Sequence, residues 1–212
     1  YTFQKKNIDM EYRDIAWTVY ENLVEFYKYR NIAPQVPRIS VDDFNKLMRT
    51  ASYVTVEGIA AKRERLPERK CIIIIFSPTS EAAKKKGNFT KLLDQLRSNG
   101  LANTDLIFIS GDKPVSVING YEEIHEGLKS EYKQLHIEAY TYEKLFITPS
   151  NSIIPKHRIL SQEEVDLLNK DRLTASSKRT AISTQDLPVV WLGARIGDTI
   201  EILRPSGETG KA

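Results

Sequence analysis

The chain has 212 residues, with 31 Lys and Arg against 28 Asp and Glu, 41 % hydrophobic residues and one cysteine. This composition excludes disordered, collagen-like and coiled-coil proteins, and the single cysteine, Cys71, excludes an internal disulfide, which indicates an intracellular protein. The longest apolar run, Cys71 to Phe76, is far shorter than the roughly 20 residues that cross a bilayer, so no membrane partner is expected.

The first part of the chain predicts two helices. Apolar residues recur at spacings of three and four from Tyr12 to Tyr29, which is typical of an amphipathic helix, and Pro34 and Pro37 follow it. A second helix is expected after Ser40, whose hydroxyl can cap free backbone N–H groups, with Asp43 near the positive end of the helix dipole. Two helices therefore precede the first predicted strand.

A strand, a helix and a second strand follow in the order of a parallel crossover. Cys71 to Phe76 is a mostly β-branched run, the pattern of a strand buried on both faces. A helix is expected from Asn88 to Ser98 and a second buried strand from Leu106 to Ser110. A further helix, Glu122 to Lys133, and a third strand, Leu135 to Tyr140, complete a small α/β domain whose buried central sheet is covered by helices.

The last third of the chain has its own pattern. Ser161 and Glu164 form an S-x-x-E capping box, which predicts a helix from Gln162 to about Asn169. An apolar segment, Pro188 to Leu192, and an alternating strand, Thr199 to Leu203, follow it.

These elements predict an α/β protein with two domains. Residues 1–145 form an N-terminal domain with a buried central sheet, and residues 146–212 form a smaller mixed α/β module. The length of the chain agrees with one or two domains.

Positive charge is concentrated between residues 62 and 91. Nine bases against three acids give this segment a local charge of +6, twice the +3 of the whole chain. Lys84, Lys85 and Lys86 lie in it and can attract phosphate groups without reading sequence. A solubilising lysine patch explains the charge equally well, so an independent basic nucleic-acid-binding module is one hypothesis among several.

The histidines do not indicate a metal site. No two of them are spaced to lie on one helix face, and no second cysteine is present as a ligand. A structural role is therefore favoured for His125, His136 and His157, and we predict no metal, cofactor or catalytic residue.

One enzymatic alternative is a Mg²⁺-dependent nuclease. Glu68 and Lys70 form an acid-x-Lys pair at the entrance of a buried strand, and a distant acid such as Asp43 could complete a Mg²⁺ site beside a phosphodiester. Against it, both residues lie in a run of alternating charge, which is mostly typical of a solvated surface segment.

Several separate motifs in the last third occur in the order and spacing of one family. They are Ile154-Pro155-Lys156-His157-Arg158-Ile159-Leu160-Ser161, Leu167-Leu168, Asp186-Leu187-Pro188-Val189-Val190-Trp191-Leu192-Gly193, Gly197-Asp198-Thr199-Ile200-Glu201-Ile202, and Arg204-Pro205-Ser206 with Glu208-Thr209. Over residues 145 to 210 the chain resembles the fifth subunit of the eukaryotic-type multisubunit DNA-directed RNA polymerases, which has a counterpart in the archaeal enzymes. Asp112-Lys113-Pro114-Val115 looks more like homologues from large cytoplasmic DNA viruses, such as asfarviruses.

The resemblance implies a noncatalytic polymerase subunit. Its C-terminal module would dock on the largest subunit, and its N-terminal jaw domain would lie beside downstream duplex DNA during transcription, with other polymerase subunits as further partners. The docking residues that it implies are Pro155, Lys156, His157, Arg204, Ser206, Glu208 and Thr209. The residues expected near DNA are Lys84, Lys85 and Lys86, from their local charge, and Lys113 and Pro114, which the resemblance places in the family's DNA-facing loop. A viral source would place the protein in a cytoplasmic virus factory or a virion, and a cellular source in the nucleus.

Without the family, a simpler interpretation of the docking residues is favoured. His157 can cap a local carbonyl group, and Pro155 can bend the chain, since rigid proline turns are common and mostly structural. Gly207 departs from the family pattern, as an extra residue in a compact Arg-x-Ser-Glu-Thr element.

Overall fold

The structure, a computed structural model, describes residues 2–35, 38–60, 69–150, 154–170 and 179–204. The chain divides into two compact units, residues 1–147 and 148–212. The described helices are α1 (Thr2–Tyr29), α2 (Val41–Thr50), α3 (Lys86–Ser98), α4 (Tyr121–Glu131), α5 (Glu143–Phe146), α6 (Gln162–Lys170) and α7 (Leu187–Leu192). The described strands are β1 (Ile32–Gln35), β2 (Tyr53–Ala60), β3 (Arg69–Phe76), β4 (Thr104–Ser110), β5 (His136–Thr141), β6 (Lys156–Ile159) and β7 (Ile200–Leu203). Within these ranges, no helix combines the length and the apolar character needed to cross a bilayer.

A five-stranded mixed sheet organises the first unit. Its strand order is β1-β2-β3-β4-β5, with antiparallel pairing from β1 to β3 and parallel pairing from β3 to β5. The parallel pairing of β3 with β4 confirms the predicted crossover, since α3 connects them in the chain. The α/β class predicted from the sequence is therefore confirmed.

The central strands of this sheet are buried on both faces. Ile72 and Ile74 join the apolar side chains of α3 and α4 in one hydrophobic cluster. Ile73 and Ile75, which alternate with them, point to the opposite face and are also fully buried. The α1 helix reaches the sheet, because the Tyr27 hydroxyl donates a hydrogen bond to a carbonyl oxygen of β2 at 3.3 Å. The apolar run of β3 is thus explained by cover on two sides.

A buried ion pair joins the end of α1 to β5. Arg30 donates two hydrogen bonds to the Glu138 carboxylate, at 3.0 and 2.7 Å, and its guanidinium lies 4.3 Å from the centroid of the Phe26 ring. The Tyr140 hydroxyl donates to the same carboxylate at 2.8 Å, and His136 Nε2 lies 3.2 Å from it. Burial alone would raise the pKa of Glu138, but the Arg30 charge and hydrogen bonds from His136 and Arg30 hold it well below its usual range.

Two strands, β1 and β2, lie outside the predicted elements. Pro34 stands in β1 opposite Gly58, and a residue without an N–H is tolerated there because β1 is an edge strand. In β2, the buried residues Val54 and Val56 alternate with more exposed neighbours. That period of two is the signal that identifies a half-buried strand.

The other predicted elements of the first unit are confirmed, with ends that differ by a few residues except at α1. The α1 helix begins at Thr2 instead of Tyr12, and α3 begins two residues before Asn88. Ser40 caps α2 as predicted, since its Oγ accepts a hydrogen bond from the Asp43 N–H at 3.1 Å. The Lys85 side chain at the start of α3 makes no such cap bond, which explains why no local signal marked that end.

The second unit contains the predicted capping box. The Ser161 N–H donates to the Glu164 carboxylate at 2.8 Å, and the Glu164 N–H donates to Ser161 Oγ at 3.3 Å. This reciprocal pair confirms the predicted start of α6, because both groups lie within one turn and need no tertiary contact.

The apolar segment from Pro188 to Leu192 forms α7. Pro188 lies in the first turn, where its missing N–H has no helical partner to lose. Gly193 ends the helix at φ 61°, a left-handed conformation that favours glycine. Trp191 is fully buried, so this short helix supplies the largest core side chain of the unit.

Gly58 is a position where a side chain has no room. A Cβ there would lie 2.9 Å from Ile32 Cγ2 and 3.1 Å from the Ala33 carbonyl oxygen. We expect Gly58→Ala to lower the free energy of unfolding by about 1–3 kcal/mol, because the backbone of β1 would have to move. Gly87→Ala is the matched control, since a Cβ there meets no atom within 4 Å. Denaturant unfolding checks both variants, and equal effects would contradict the prediction.

Candidate docking and nucleic-acid surfaces

An antiparallel ribbon of two strands carries the predicted docking residues of the second unit. Its register places His157 opposite Ile202 and Lys156 opposite Leu203. Residues Pro155 and Arg204 flank these pairs, and the same register brings them to one end of the ribbon. Of the seven predicted docking residues, the structure therefore brings four together.

The other three predicted docking residues, Ser206, Glu208 and Thr209, lie outside the described residues. So does the extra residue Gly207. Their part in docking stays a prediction.

His157 is oriented by its own chain. Its Nδ1 lies 2.6 Å from the Pro155 carbonyl oxygen, as the simpler interpretation of this histidine proposed. A carbonyl oxygen only accepts, so Nδ1 carries the proton, and Nε2 of the neutral ring is then a hydrogen-bond acceptor. The local bond therefore fixes the direction in which the ring presents its second nitrogen.

A charged cluster joins the ribbon to α6. Arg158 donates to Glu201, its cross-strand partner, at 2.6 Å and to Glu164 at 2.7 Å. The backbone N–H of Ser161 and the Arg158 guanidinium hold the pKa of Glu164 below its usual range. The same carboxylate thus caps α6 and anchors the ribbon.

Apolar side chains are exposed on the second unit. Ile196 is 95 % exposed, Leu167 on α6 is 69 % exposed and Leu203 is 51 % exposed. Ile196 lies in a turn that is closed by a hydrogen bond from the Arg195 N–H to the Asp198 carboxylate at 2.7 Å. Local sequence patterns did not identify Ile196 and Leu203 as surface residues, because the exposure of a side chain depends on tertiary contacts. Singly exposed apolar side chains are common on protein surfaces, so these three by themselves do not mark an interface.

The three lysines of the basic segment do not converge on one point. Lys84 Nζ donates to the Pro78 carbonyl oxygen at 2.9 Å, and Lys85 Nζ lies 2.6 Å from the Glu81 carboxylate. Lys86 Nζ lies 2.5 Å from the carboxylate of Glu123 on α4. Each of these lysines therefore has a partner within the first unit.

Lys113 and Pro114 lie near the same end of the sheet as the three lysines. The chain leaves β3 and β4 at the same edge, because these strands are parallel. A Cβ built on Gly111 would lie 4.0 Å from Pro78 Cα, so the two connecting loops are neighbours. The Ser110 hydroxyl donates to the Lys113 carbonyl oxygen at 2.6 Å and fixes the loop after β4.

Two further bases of the segment from 62 to 91 form ion pairs between neighbouring strands of the sheet. Arg69 is buried and donates to the Asp105 carboxylate at 2.7 Å and to the Gln134 carbonyl oxygen at 2.6 Å. Lys70 Nζ lies 3.0 Å from the Glu57 carboxylate. Three other bases of the segment, Lys62, Arg63 and Arg65, lie outside the described residues. The local charge of +6 therefore overstates the basic surface.

The residues of the nuclease hypothesis have local partners instead. Lys70 is paired with Glu57, and the Asp43 carboxylate accepts from the Ser40 hydroxyl at 2.7 Å. Asp43 belongs to no group of three potential metal ligands in the described ranges, and Glu68 lies outside them. Metal-assisted hydrolysis needs convergent carboxylates, so these contacts do not favour a nuclease.

One group of potential metal ligands is present on α4. Ligand atoms of Glu122, His125 and Glu126 lie within 4.8 Å of one another. Both carboxylates are exposed, while the His125 ring stacks on Tyr121 with centroids 5.7 Å apart. Exposed groups of this kind are common without a metal, so the cluster by itself carries no assignment.

Comparison with known proteins identifies the family. Residues 147–212 match the family model of the RNA polymerase Rpb5 C-terminal domain. The chain is 28 % identical over 186 residues to a DNA-directed RNA polymerase RPB5 homolog of African swine fever virus, which covers 87 % of both proteins. It is 45 % identical over 58 residues to the DNA-directed RNA polymerase subunit Rpo5 of Thermococcus kodakarensis, over 27 % of this chain and 71 % of the relative. The Rpo5 subunit of Thermococcus onnurineus is 44 % identical over 62 residues, over 29 % of this chain and 74 % of the relative.

These relatives confirm the resemblance inferred from the motifs of the last third. The archaeal relatives supply high identity over most of their own short chains, and the viral relatives extend the similarity over most of this one. The chain therefore belongs to the Rpb5 family of DNA-directed RNA polymerase subunits, as a homologue of the viral type.

Proposed function

We propose that this chain is a noncatalytic subunit of a viral-type RNA polymerase, that its second unit docks on the largest subunit, and that its first unit lies beside downstream duplex DNA. Polymerization then belongs to other subunits. The match of residues 147–212 to the Rpb5 C-terminal domain is the observation that carries this proposal, because it assigns the second unit to a family of polymerase subunits. The exposed side chains of Ile202 and Leu203 at the end of the ribbon leave apolar area that a partner can cover.

The docking surface is centred on the end of the ribbon. His157 on β6 lies directly opposite Ile202 on β7, and Pro155 precedes β6. Apolar area is supplied by the rigid ring of Pro155 and the partly exposed side chain of Ile202. His157 adds a directional hydrogen-bond acceptor. Such a mixture is typical of the core of a protein–protein interface.

The nucleic-acid side of the proposal rests on the loops that follow β3 and β4. They carry Lys84, Lys85, Lys86 and Lys113 at one edge of the sheet. Ammonium groups at a loop edge hold phosphates without reading bases, which suits a protein that contacts many DNA sequences in turn.

Copurification with the largest subunit tests the docking surface. We expect the double variant Pro155→Ala, His157→Ala to recover at least about 10-fold less of the largest subunit, because truncation of central interface residues commonly costs 1–2 kcal/mol or more. The measurement is quantitative recovery from cells that express all polymerase subunits.

Lys91→Ala with Asp94→Ala is the matched control. Both residues are exposed on α3 in the other unit, so this double variant should recover the largest subunit at the wild-type level. Normal recovery by the Pro155 and His157 variant, with its fold intact by circular dichroism, would contradict the proposed surface.

A further inference from the structure

The surface proposed to approach DNA carries no net charge. We define the carboxyl edge as residues 77–86, 111–117 and 120–123, the segments that follow β3 and β4 up to the first turn of α4. It holds four bases, Lys84, Lys85, Lys86 and Lys113. It also holds four acids, Glu81, Asp112, Glu122 and Glu123. Residues 62–91 counted along the chain carry +6, whereas the folded edge, which adds acids from residues 111–123, balances at zero.

Two of the acids form ion pairs with the lysines. Glu81 lies four residues before Lys85, and their charged atoms are 2.6 Å apart. Glu123 reaches Lys86 from a different element, 37 residues away, at 2.5 Å. These contacts hold the pKa of both carboxyl groups below its usual range, so both acids are ionised at neutral pH.

The backbone at Gly120 leaves room for the ion pair between Lys86 and Glu123. The side-chain carbons of Lys86 lie over Gly120, where a Cβ would come within 2.8 Å of Lys86 Cδ and Nζ. Gly120 has φ +80°, which favours glycine. The lysine therefore passes over Gly120 to reach α4, and a side chain at that position would force it to move.

A competing anion can nevertheless replace the carboxylate in either ion pair. Both carboxylates are more than half exposed, and the Lys86 side chain is 47 % exposed. Exposed ion pairs contribute little net stability and are screened by salt. A phosphate group can therefore take the place of either carboxylate, provided that it offers a comparable charge at the ammonium group.

We propose that Glu81 and Glu123 are built-in competitors of DNA phosphate for Lys85 and Lys86. They weaken the binding of DNA to the carboxyl edge of the isolated chain, so that firm contact is made only where the assembled polymerase brings the duplex to it. The inference rests on the proposed function, because it assumes that this edge approaches DNA. The proposal assigns Glu81 and Glu123 a role in setting the affinity of the carboxyl edge for DNA. The sequence pattern did not connect these two acids with the site.

Salt-dependent binding of the full chain to a fluorescent duplex of random sequence tests the competition. We expect Glu81→Gln with Glu123→Gln to bind roughly 3- to 10-fold more tightly at low salt. The log-log salt slope should steepen by up to about 1.8, since each additional neutralised phosphate contributes about 0.9. The measurement is fluorescence anisotropy over a series of salt concentrations.

Glu122→Gln is the matched control. It removes the same charge one residue away, from a carboxylate that makes no lysine contact among the described residues. Its gain in affinity should be smaller than that of Glu123→Gln. In a Lys86→Gln background, the additional gain from Glu123→Gln should disappear. Equal gains from Glu122→Gln and Glu123→Gln, or a gain that persists without Lys86, would overturn the proposal.

A lysine variant separates this proposal from the proposed function. Lys84→Gln with Lys113→Gln should weaken binding, since neither lysine pairs with an acid among the described residues. If it weakens binding while the glutamate variants change nothing, the competition is overturned and the DNA contact stands. If neither set changes binding, both the competition and the DNA side of the proposed function are overturned.

Discussion

Arg30→Ala should lower the free energy of unfolding of the first unit by about 3–5 kcal/mol, because it leaves a buried carboxylate without its cation. The two side chains are only 5 % and 10 % exposed, and two hydrogen bonds join them. Tyr140 and His136 would still contact Glu138, but neither supplies the permanent positive charge of a guanidinium. Chemical denaturation at pH 7 measures the loss.

Two variants distinguish the ion pair from ordinary packing. Lys85→Ala breaks an exposed pair and should leave the free energy of unfolding nearly unchanged. Arg30→Met with Glu138→Leu should recover much of the loss, since an apolar pair leaves no buried charge. A loss for Arg30→Ala similar to that for Lys85→Ala would contradict the buried-charge explanation.

The pH dependence gives an independent measure of the same pair. Since folding lowers the pKa of Glu138, the pair contributes its stability above the carboxyl pKa of the unfolded chain, about 4–4.5. That contribution should be lost progressively as the pH falls below this value toward the lowered pKa of the folded state. Glu138→Gln should be less stable at neutral pH and should show a smaller decrease on acidification.

Trp191→Ala should unfold the second unit while the first unit stays folded. Truncating a fully buried large aromatic side chain costs about 3–5 kcal/mol. A unit of residues 148–212 has a total stability of roughly 3–10 kcal/mol at ordinary values per residue. The loss therefore removes much or all of it, and recovery of the largest polymerase subunit should fall with it.

Limited proteolysis and fluorescence measure this effect. Proteolysis should cut the variant within residues 148–212 and spare the first unit. Trp17, which stacks on Tyr20 with ring centroids 5.6 Å apart, remains as the tryptophan of the first unit and should keep its native emission. Leu167→Ala is the control, because that side chain is 69 % exposed and its loss should leave the fold unchanged. A protease-resistant second unit in Trp191→Ala would contradict the expected role of the side chain.

Features that depend on neighbouring residues were predictable. The Ser161 and Glu164 capping box and the Ser40 cap involve groups three residues apart, so the sequence contains both partners of each contact. The buried strand at Cys71 to Phe76 was also predictable, because an unbroken apolar run of this length is typical of a strand that is covered on both faces. The strands β1 and β2 were less predictable from the sequence. They contain Pro34 and Gly58, and proline and glycine are unfavourable in strands except at an edge or where two backbones approach closely.

The residues of the proposed docking surface were predictable only in part. The motif order indicated Pro155 and His157, and the antiparallel register then placed Ile202 opposite His157. The exposure of Ile196 could not be inferred from the sequence, because it depends on the conformation of the turn from Arg195 to Asp198.

By itself, the sequence determined the α/β class, the order of most elements and the family, because hydrophobic periodicity, end caps and motif spacing are properties of adjacent residues. Only the tertiary structure decided which charges are available for a ligand. Lys86 has its acid on another helix, 37 residues along the chain, and Arg69 is buried against Asp105. Charge is additive along a sequence, but electrostatic attraction depends on distance and burial, which chain order does not contain.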